Sequence, residues 1–327
     1  MFANELQTTL LPALSAEMKT FYDMTLIDEA APALVHDQFG QKRPIPKNGG
    51  KTIEFRKFSP LAKATTPLTE GVTPDGKSLE VTTITATVSQ YGDYITQSDV
   101  LELTSIDNTI LEATKLLGKQ AGATLDTIVR DILVAGTNVS YASKWSGTTE
   151  TPVTSRSGLD KTCTLKVDTI QQVVAKLRSQ NAPTINGKYV AIVHPYVAYD
   201  LMRDPEWIDA HKYANPTNLY EGEIGEIGGV RFVQTTEAKI WKDSTCPSGL
   251  AVFGCLFLGE GAYGVTEITG GGLQTIVKQK GSAGTADPLD QRSSVGWKAI
   301  KTAEILVPNY IVRVECCSKY SADAVAN

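Results

Sequence analysis

The sequence predicts an α+β fold, in which most strands follow one another along the chain instead of alternating with helices. Two segments of alternating apolar and polar residues, 52–58 and 83–89, predict a pair of strands. A helical pattern of about 30 residues follows, from Ser105 to Gly136. Further strand-like segments then succeed one another between residues 230 and 317, which completes the case for this class.

The composition is that of a globular chain with a large core. Of 327 residues, 42% are hydrophobic and 20% are charged, which excludes a disordered or fibrous protein. The longest apolar run, Leu250–Leu258, is shorter than the roughly 20 residues that a membrane helix needs. The first positive residue is Lys19, so we expect no secretory signal, no membrane partner and synthesis in the cytoplasm. Five cysteines without CxxC spacing are expected to be reduced thiols.

The charge is unevenly distributed along the chain. There are 31 lysines and arginines against 36 aspartates and glutamates, a net charge of −5. Residues 41–64 hold one acid, Glu54, and a local charge of +6, which leaves −11 for the rest. Such a segment binds nucleic acid or an acidic surface of another copy, unless it is simply a solvated hairpin. Its seven basic residues are Lys42, Arg43, Lys47, Lys51, Arg56, Lys57 and Lys63.

The first third of the chain is predicted to contain a helical arm and a long hairpin. The segments TIEFRKF and TITATVS predict the two hairpin strands, joined by a stretch that prolines and glycines interrupt. A two-stranded hairpin is at best marginally stable in water. This one therefore needs a surface to lie on, either a neighbouring subunit or its own body. The arm is predicted by apolar residues at helical spacing, Leu6, Leu10, Leu14, Met18 and Phe21.

One long helix is predicted after the hairpin. Ser105 is the predicted N-cap, with Asp107 in the first turn, and Gly136 is the predicted stop. Its length would be roughly 45 Å at 1.5 Å per residue. Gly118 and Gly122 lie four residues apart on it and would allow the close approach of another backbone.

The second half of the chain predicts a lobe of buried helices and strands. Ser140–Cys163 is rich in Ser, Thr and Gly and is expected to form a surface loop or hairpin. Asp168 is the expected N-cap of the next helix, and a short helix is expected over Pro195–Arg203. The buried stripe of the first helix is Ile170, Val173, Val174 and Leu177. The predicted strands are 189–193, 230–234, 250–258, 263–268, 273–278, 295–306 and 311–317.

No motif favours a catalytic, cofactor or metal site. GEGAYG, at Gly259–Gly264, matches the dinucleotide pattern GxGxxG, but VTEITGGG after it is strand-like where that pattern requires a helix. The other glycine-rich stretches lack the lysine of a phosphate-binding loop. His36, His194 and His211 are too scattered for a zinc motif, and His194, at a strand end, is expected to be structural. We therefore expect no enzyme, no cofactor and no metal.

The order of these elements resembles that of the major capsid proteins of tailed bacteriophages, which share the Johnson fold. Four phrases carry the resemblance: YVAIVHPYVAYDLMRD (189–204), GEIGEIGGVRFVQTTEA (222–238), GEGAYGV (259–265) and DPLDQRSSVGWKAIKTAEIL (287–306). The resemblance extends from about Phe2 to Tyr320. It implies that copies of the chain form the hexamers and pentamers of an icosahedral head around double-stranded DNA.

The resemblance also implies a division of the chain. It assigns 1–40 to an N-terminal arm, 41–98 to an extended loop, 99–163 with 287–327 to a peripheral domain with a spine helix, and 164–286 to an axial domain. The extended loop would reach over a neighbouring subunit. We expect inter-subunit contacts from Lys51, Arg56, Lys57 and Lys63.

The implied partners are other copies of the chain, a separate scaffolding protein and a portal, with a decoration protein as a further candidate. Contacts with DNA would be weak and non-specific, and the mature protein would reside in the virion. No partner residue can be assigned to Lys57, Lys63 or Lys77, so we predict no covalent crosslink. Two alternatives stay open: an encapsulin-like bacterial compartment shell, and a nucleotide-binding enzyme that uses Gly259–Gly264.

Overall fold

The computed structural model describes residues 26–30, 34–58, 61–68, 70–73, 75–104, 109–147, 149–214, 225–280 and 287–327, with Met24 and Ser282. The arm helix predicted between Leu6 and Phe21 lies outside the described residues, as do Ser105 and Asp107. The helices are α1 (Asp99–Thr104), α2 (Thr109–Val134), α3 (Val167–Ser179), α4 (Pro195–Met202) and α5 (Pro205–Ala214). The strands are β1 (Gln41–Lys42), β2 (Thr52–Phe58), β3 (Val81–Thr87), β4 (Ser89–Ser98), β5 (Val139–Tyr141), β6 (Lys144–Ser146), β7 (Thr149–Thr151), β8 (Tyr189–Val193), β9 (Glu226–Ile227), β10 (Val230–Gln234), β11 (Ile240–Trp241), β12 (Val252–Leu258), β13 (Tyr263–Glu267), β14 (Gln274–Lys278), β15 (Arg292–Ile305) and β16 (Ile311–Cys316).

Seven of the described strands form the larger sheet, in the order β5-β16-β12-β8-β10-β9, with β11 on β12. Every residue of β8 and β12 is buried, as their uninterrupted apolar sequences predict. Helix α3 buries its predicted stripe in the same core as α4, so these two predicted helices are confirmed. The core residues from the two helices include Ile170, Val173, Val174, Leu177, Val197, Ala198 and Leu201.

The expected N-cap of α3 is wrong. The helix begins at Val167 with Lys166 as its N-cap residue, so Asp168 lies inside the first turn. There its Oδ2 accepts a hydrogen bond from Gln172 Nε2 at 2.7 Å. The Val167 N–H donates instead to Asp204 Oδ2 at 3.0 Å, from the turn that follows α4. Helix α5, which starts directly after that turn, was missed in the sequence.

Five of the described strands form the second sheet, β1-β13-β15-β14, with β4 also paired to β15. Strand β15 has 14 residues and pairs with β4 from Arg292 opposite Ser98 to Lys301 opposite Ser89. Helix α2 packs on this sheet and confirms the predicted long helix. The residues in this contact include Leu117, Ala121 and Leu125 of α2 and Val295, Trp297 and Ala299 of β15.

Gly118 has the role predicted for it on α2. A Cβ atom at this position would lie 2.8 Å from the carbonyl oxygen of Leu26. The helical residues 26–30 therefore cross α2 at a distance that a side chain on residue 118 would not allow.

Strand pairing crosses the expected domain boundaries. Strands β13 and β14 come from the segment expected to be axial, yet they pair with β15 from the segment expected to be peripheral. Strand β16, from the peripheral segment, pairs with β12. The boundaries stay predictions, and any division of the chain has to separate two sheets that exchange strands.

Buried polar contacts join these parts of the fold. Glu315 on β16 accepts hydrogen bonds from Arg156 Nε at 2.6 Å and Nη2 at 2.7 Å, and its Oε1 lies 3.0 Å from Arg313 Nε. At the start of the described chain, the His36 N–H donates to Asp126 Oδ1 on α2 at 2.7 Å. His36 Nδ1 lies 2.7 Å from Asp126 Oδ2. Both groups of contacts connect segments that are distant in sequence.

The cysteines are mainly core residues. Cys163, Cys255, Cys316 and Cys317 are buried, and Cys246 is half-buried. The Sγ atoms of Cys255 and Cys316 lie 3.8 Å apart, well beyond the roughly 2.05 Å of a disulfide bond. Burial raises the pKa of Cys317 to about 12, so this thiol stays protonated at neutral pH.

Candidate assembly surface

Strands β2 and β3 form the predicted hairpin. They pair antiparallel, from Thr52 opposite Thr87 to Phe58 opposite Val81. Their side chains alternate between two faces, as the sequence indicates. The inner face carries the buried residues of the hairpin, and the outer face is exposed.

The inner face anchors the base of the hairpin to the body of the same chain. Phe55 is 3% exposed and packs with Ala86 and Leu306, in a small core separate from the larger ones. The Arg43 guanidinium lies 5.9 Å from the centroid of the Phe55 ring. The base of the hairpin therefore lies on the body of its own chain, which is one of the two surfaces predicted to support it.

Beyond Phe58 the described residues of the loop have no such support. Every described residue between 61 and 80 is exposed. A soluble chain that stays alone rarely leaves many apolar side chains in water along one loop, so this segment indicates a contact surface. We call residues 58–81 the tip of the loop. Its large apolar residues, between 47% and 78% exposed, are Phe58, Leu61, Leu68, Val72, Leu79 and Val81.

The four basic residues expected at the interface lie along this loop but not on one face. Arg56 is exposed on the outer face, whereas Lys57 is half-buried on the inner face with Phe55. Lys51 precedes β2 and Lys63 belongs to the tip, and both are exposed. Within the described part of the chain, none of the four forms an ion pair. Their charges are thus available to a partner.

The loop is also polarised along its length. Residues 65–81 contain three acids, Glu70, Asp75 and Glu80, against one base, Lys77. The loop is therefore basic at its base and acidic at its tip. This polarity was missed because the charge was summed over residues 41–64 alone, although the sequence itself contains the signal.

The outer face of the five-stranded sheet is open and forms a groove of about 430 Å³. Gly296 lies at its floor, because a Cβ atom there would meet the Tyr94 Cβ at 2.6 Å. Tyr94 and Ile276 pair with Gly296 from either side, and both are exposed. Lys278 also lines the groove. Asp93 lines it as well, so this surface combines apolar walls with one positive and one negative charge.

The glycine motif at Gly259–Gly264 is explained by packing. The chain passes from β12 through a turn into β13, where a dinucleotide site would need a helix. A Cβ atom on Gly259 would lie 3.0 Å from the Pro183 carbonyl oxygen, and Gly261 has a φ of 68°. The structure therefore provides no support for the nucleotide-binding alternative.

His194 has the structural role expected of it. Its Nδ1 accepts a hydrogen bond from the Tyr196 N–H at 3.1 Å and so caps α4. Its ring centroid lies 5.2 Å from that of Phe253. Burial lowers the pKa of His194, which favours the neutral ring that this cap requires.

Two further kinds of site are absent from the described residues. They contain no group of three or more His, Cys, Asp or Glu residues that could hold a metal ion. None of the helices among them is long and apolar enough to cross a membrane. The hairpin tip and the sheet groove are therefore the surfaces on which a functional proposal can rest.

Comparison with known proteins identifies the class. A family model described as phage capsid protein matches residues 80–311. The capsid of cyanophage Pam1 has a similar fold, with a TM-score of 0.68, 11% identity, and coverage of 97% of this chain and 96% of that chain. The capsid of Ralstonia phage GP4 gives a TM-score of 0.65, 14% identity, and coverage of 87% and 88%.

A virus-like particle from Pyrococcus furiosus also shares the fold, with a TM-score of 0.51, 10% identity, and coverage of 91% of this chain and 99% of that chain. No curated protein sequence matches this chain. Because the family model covers more than half of its residues, the chain belongs to the phage capsid protein family. It is a structural subunit of a phage head shell, with the α+β fold of phage capsid proteins.

Proposed function

We propose that copies of this chain form the hexamers and pentamers of an icosahedral phage head that encloses double-stranded DNA. The observation that carries the proposal is the contrast within the extended loop. Its base is packed on its own body through Phe55, whereas its tip exposes a row of apolar side chains. A neighbouring copy would cover this tip and supply the apolar contact that a two-stranded hairpin needs.

The groove of the five-stranded sheet is the candidate receptor for the tip. Tyr94 and Ile276 offer apolar area, and Lys278 offers a positive charge. The tip carries the complementary set, with apolar Leu68 and Leu79 beside the acids of residues 65–81. Aromatic and aliphatic anchors with charges at the rim are the usual composition of protein interfaces.

The basic base of the loop would face acidic side chains of another copy. Arg56 shares the outer face with Phe58, so these two residues would contact one partner surface. Lys57 points the opposite way and would require a different neighbour or a role in its own chain. We therefore assign the inter-subunit contact to Arg56 before Lys57, with Lys51 and Lys63 beside it.

The remaining partners follow from the same role. A net charge of −5 disfavours tight binding of DNA to the shell wall, so contacts with the packaged genome would be weak, salt-sensitive and independent of sequence. A scaffolding protein would guide assembly and a portal would occupy one vertex. The proposal assigns no catalytic role and no cofactor to the chain, and places it in the virion after synthesis in the bacterial cytoplasm.

A compartment shell that encloses a protein cargo is the second candidate. The similarity to the virus-like particle from Pyrococcus furiosus favours keeping it, since that particle shares the fold. The contents of purified particles separate the two. Double-stranded DNA inside particles from infected cells supports the phage head, whereas a single protein cargo without DNA supports the compartment.

The assembly role is tested with a double substitution in the tip, Leu68→Ser with Leu79→Ser. The matched control is Val325→Ser, because Val325 is equally exposed but lies near the C-terminus. Each protein is expressed with its scaffolding protein and studied by light scattering and negative-stain imaging. We expect shells from the wild type and the control, and unassembled subunits with an unchanged melting temperature from the tip variant. Normal shells from the tip variant would contradict the assigned surface, and no shells from the wild type would contradict the function.

A further inference from the structure

Gly264 lies in the middle of β13, where a residue with a side chain would ordinarily fit a strand. It pairs with Gln41 of β1 on one side and Glu304 of β15 on the other, and it is buried. Its φ is not among the positive values of the described glycines, so backbone conformation does not require glycine here. The reason for glycine at this position must therefore be space.

The ring of Phe55 occupies that space. A Cβ atom on Gly264 would lie 2.7 Å from Phe55 Cζ and 2.8 Å from Cε1, well inside van der Waals contact. The Phe55 ring thus rests directly on the backbone of β13. Any side chain at residue 264 would force the ring away from the backbone of β13.

This contact attaches the hairpin to the body, beside strand β4, which continues from β3 and pairs with β15. The small core around Phe55 includes Ala86 and Leu306, and it is distinct from the larger hydrophobic cores of the described chain. The chain on the N-terminal side is fixed to the same strand, since Gln41 and Lys42 of β1 pair with Gly264 and Val265. Gly264 therefore lies beneath both the approach to the hairpin and its one deeply buried aromatic ring.

We infer that Gly264 is a positioning residue for assembly: by admitting the Phe55 ring onto β13, it sets the angle at which the extended loop leaves the body. The inference rests on the proposed role of the loop in contacting a neighbouring copy. A small change of angle at the base is amplified along the loop, because the tip lies several residues beyond the last buried position. Gly264 would thereby determine where the tip meets the next subunit.

The first test uses unassembled subunits and limited trypsin digestion. Gly264→Ala should accelerate cleavage after Arg56 and Lys57 roughly tenfold, because the lifted hairpin opens more often. Cleavage after Lys63 in the exposed tip serves as the internal reference. Gly76→Ala is the matched control, since Gly76 lies in the same loop and a Cβ atom there would contact nothing within 4 Å.

A second substitution that removes the clash distinguishes a positioning role of Gly264 from a general loss of stability. The double variant Gly264→Ala with Phe55→Leu replaces the ring by a smaller side chain and should return cleavage to within about twofold of the wild type. If Gly264→Ala does not fold, Phe55→Ala tests the same contact from the side of the hairpin, with Gly264 intact. It should release the hairpin while the melting temperature of the body is retained. Wild-type cleavage rates in Gly264→Ala or in Phe55→Ala, or no rescue in the double variant, would overturn the inference.

The second test measures particles. Gly264→Ala should lower the yield of shells or change their diameter, and the rescued double variant should restore the wild-type particles. Faster cleavage with unchanged particles would overturn the inference but leave the capsid function intact. Failure of all proteins, including the wild type and Gly76→Ala, to form particles would instead contradict the proposed function.

Discussion

Strands β12 and β2 have the same length, seven residues, but opposite environments. All seven residues of β12 are buried, whereas Phe55 alone is buried in β2. Strand β12 pairs with β8, β11 and β16, while β2 pairs only with β3 among the described strands. One part of this chain thus completes its own core, whereas another part leaves apolar surface exposed, which we propose a second copy covers.

We expect the largest loss of stability from a substitution in β12. Phe257→Ala in β12 removes a fully buried ring and should lower the free energy of unfolding by about 3–5 kcal/mol. Phe58→Ala in the exposed end of β2 removes the same ring and should change it by less than about 0.5 kcal/mol. Chemical denaturation of both variants checks the contrast. Equal losses of stability would show that the tip is packed within its own chain.

The next effect concerns the buried ion pairs of Glu315. Glu315→Gln removes the charge that faces Arg156 and Arg313 and should cost about 3 kcal/mol, because two guanidinium groups lose their counter-charge. Glu226→Gln is the control, since its pair with Lys188 is exposed and should contribute less than about 1 kcal/mol. Denaturant titration of the two variants measures the difference. A smaller loss of stability from Glu315→Gln than from Glu226→Gln would contradict the stabilising role of these buried ion pairs.

Charge reversal within β2 tests whether the two faces of the hairpin contribute differently to assembly. Arg56→Glu should slow assembly roughly tenfold at low salt, and the effect should shrink at high salt because these charges are exposed. Lys57→Glu lies on the opposite face and should slow assembly less. Light scattering at two salt concentrations follows both. Identical behaviour of the two variants would mean that the face of the hairpin does not select the partner.

The smallest effect is a pH dependence in the larger sheet. Burial lowers the pKa of His194 below its usual 6.5, so the unfolded chain binds the proton more readily than the folded chain. Stability should therefore fall as the pH is lowered below 6.5, toward the folded pKa. His194→Asn keeps an N-cap that does not titrate, so it should reduce this pH dependence. The change in the free energy of unfolding should be about 1 kcal/mol or less. Melting temperatures between pH 5 and 7 check the prediction, and identical slopes would refute it.

Local sequence patterns predicted those elements whose cause is local. The buried strands β8 and β12, the helix α2 and the hairpin β2–β3 follow from periodicity and apolar runs, and the structure confirms them. The cap of α3 could not be predicted because Asp204 supplies it from a later turn. The contact at Gly264 was hidden for the same reason, since Phe55 reaches it from a distant strand.

The candidate surface was predicted only in part. The basic charge of residues 41–64 indicated the same loop as the structure does, yet the exposed apolar tip was overlooked. Its residues, such as Leu68 and Leu79, stand between prolines and glycines and form no regular period. A helix or strand period identifies residues that face a core, and an apolar residue that faces another molecule from an irregular loop gives no such signal.

The most direct test of the central claim is hydrogen exchange of the same protein before and after assembly. The account predicts that amides of β8 and β12 are protected in both states, whereas those of residues 58–81 exchange rapidly in free subunits and become protected in shells. Equal protection of residues 58–81 in the two states would contradict it, because the tip would then have no partner in the assembled shell.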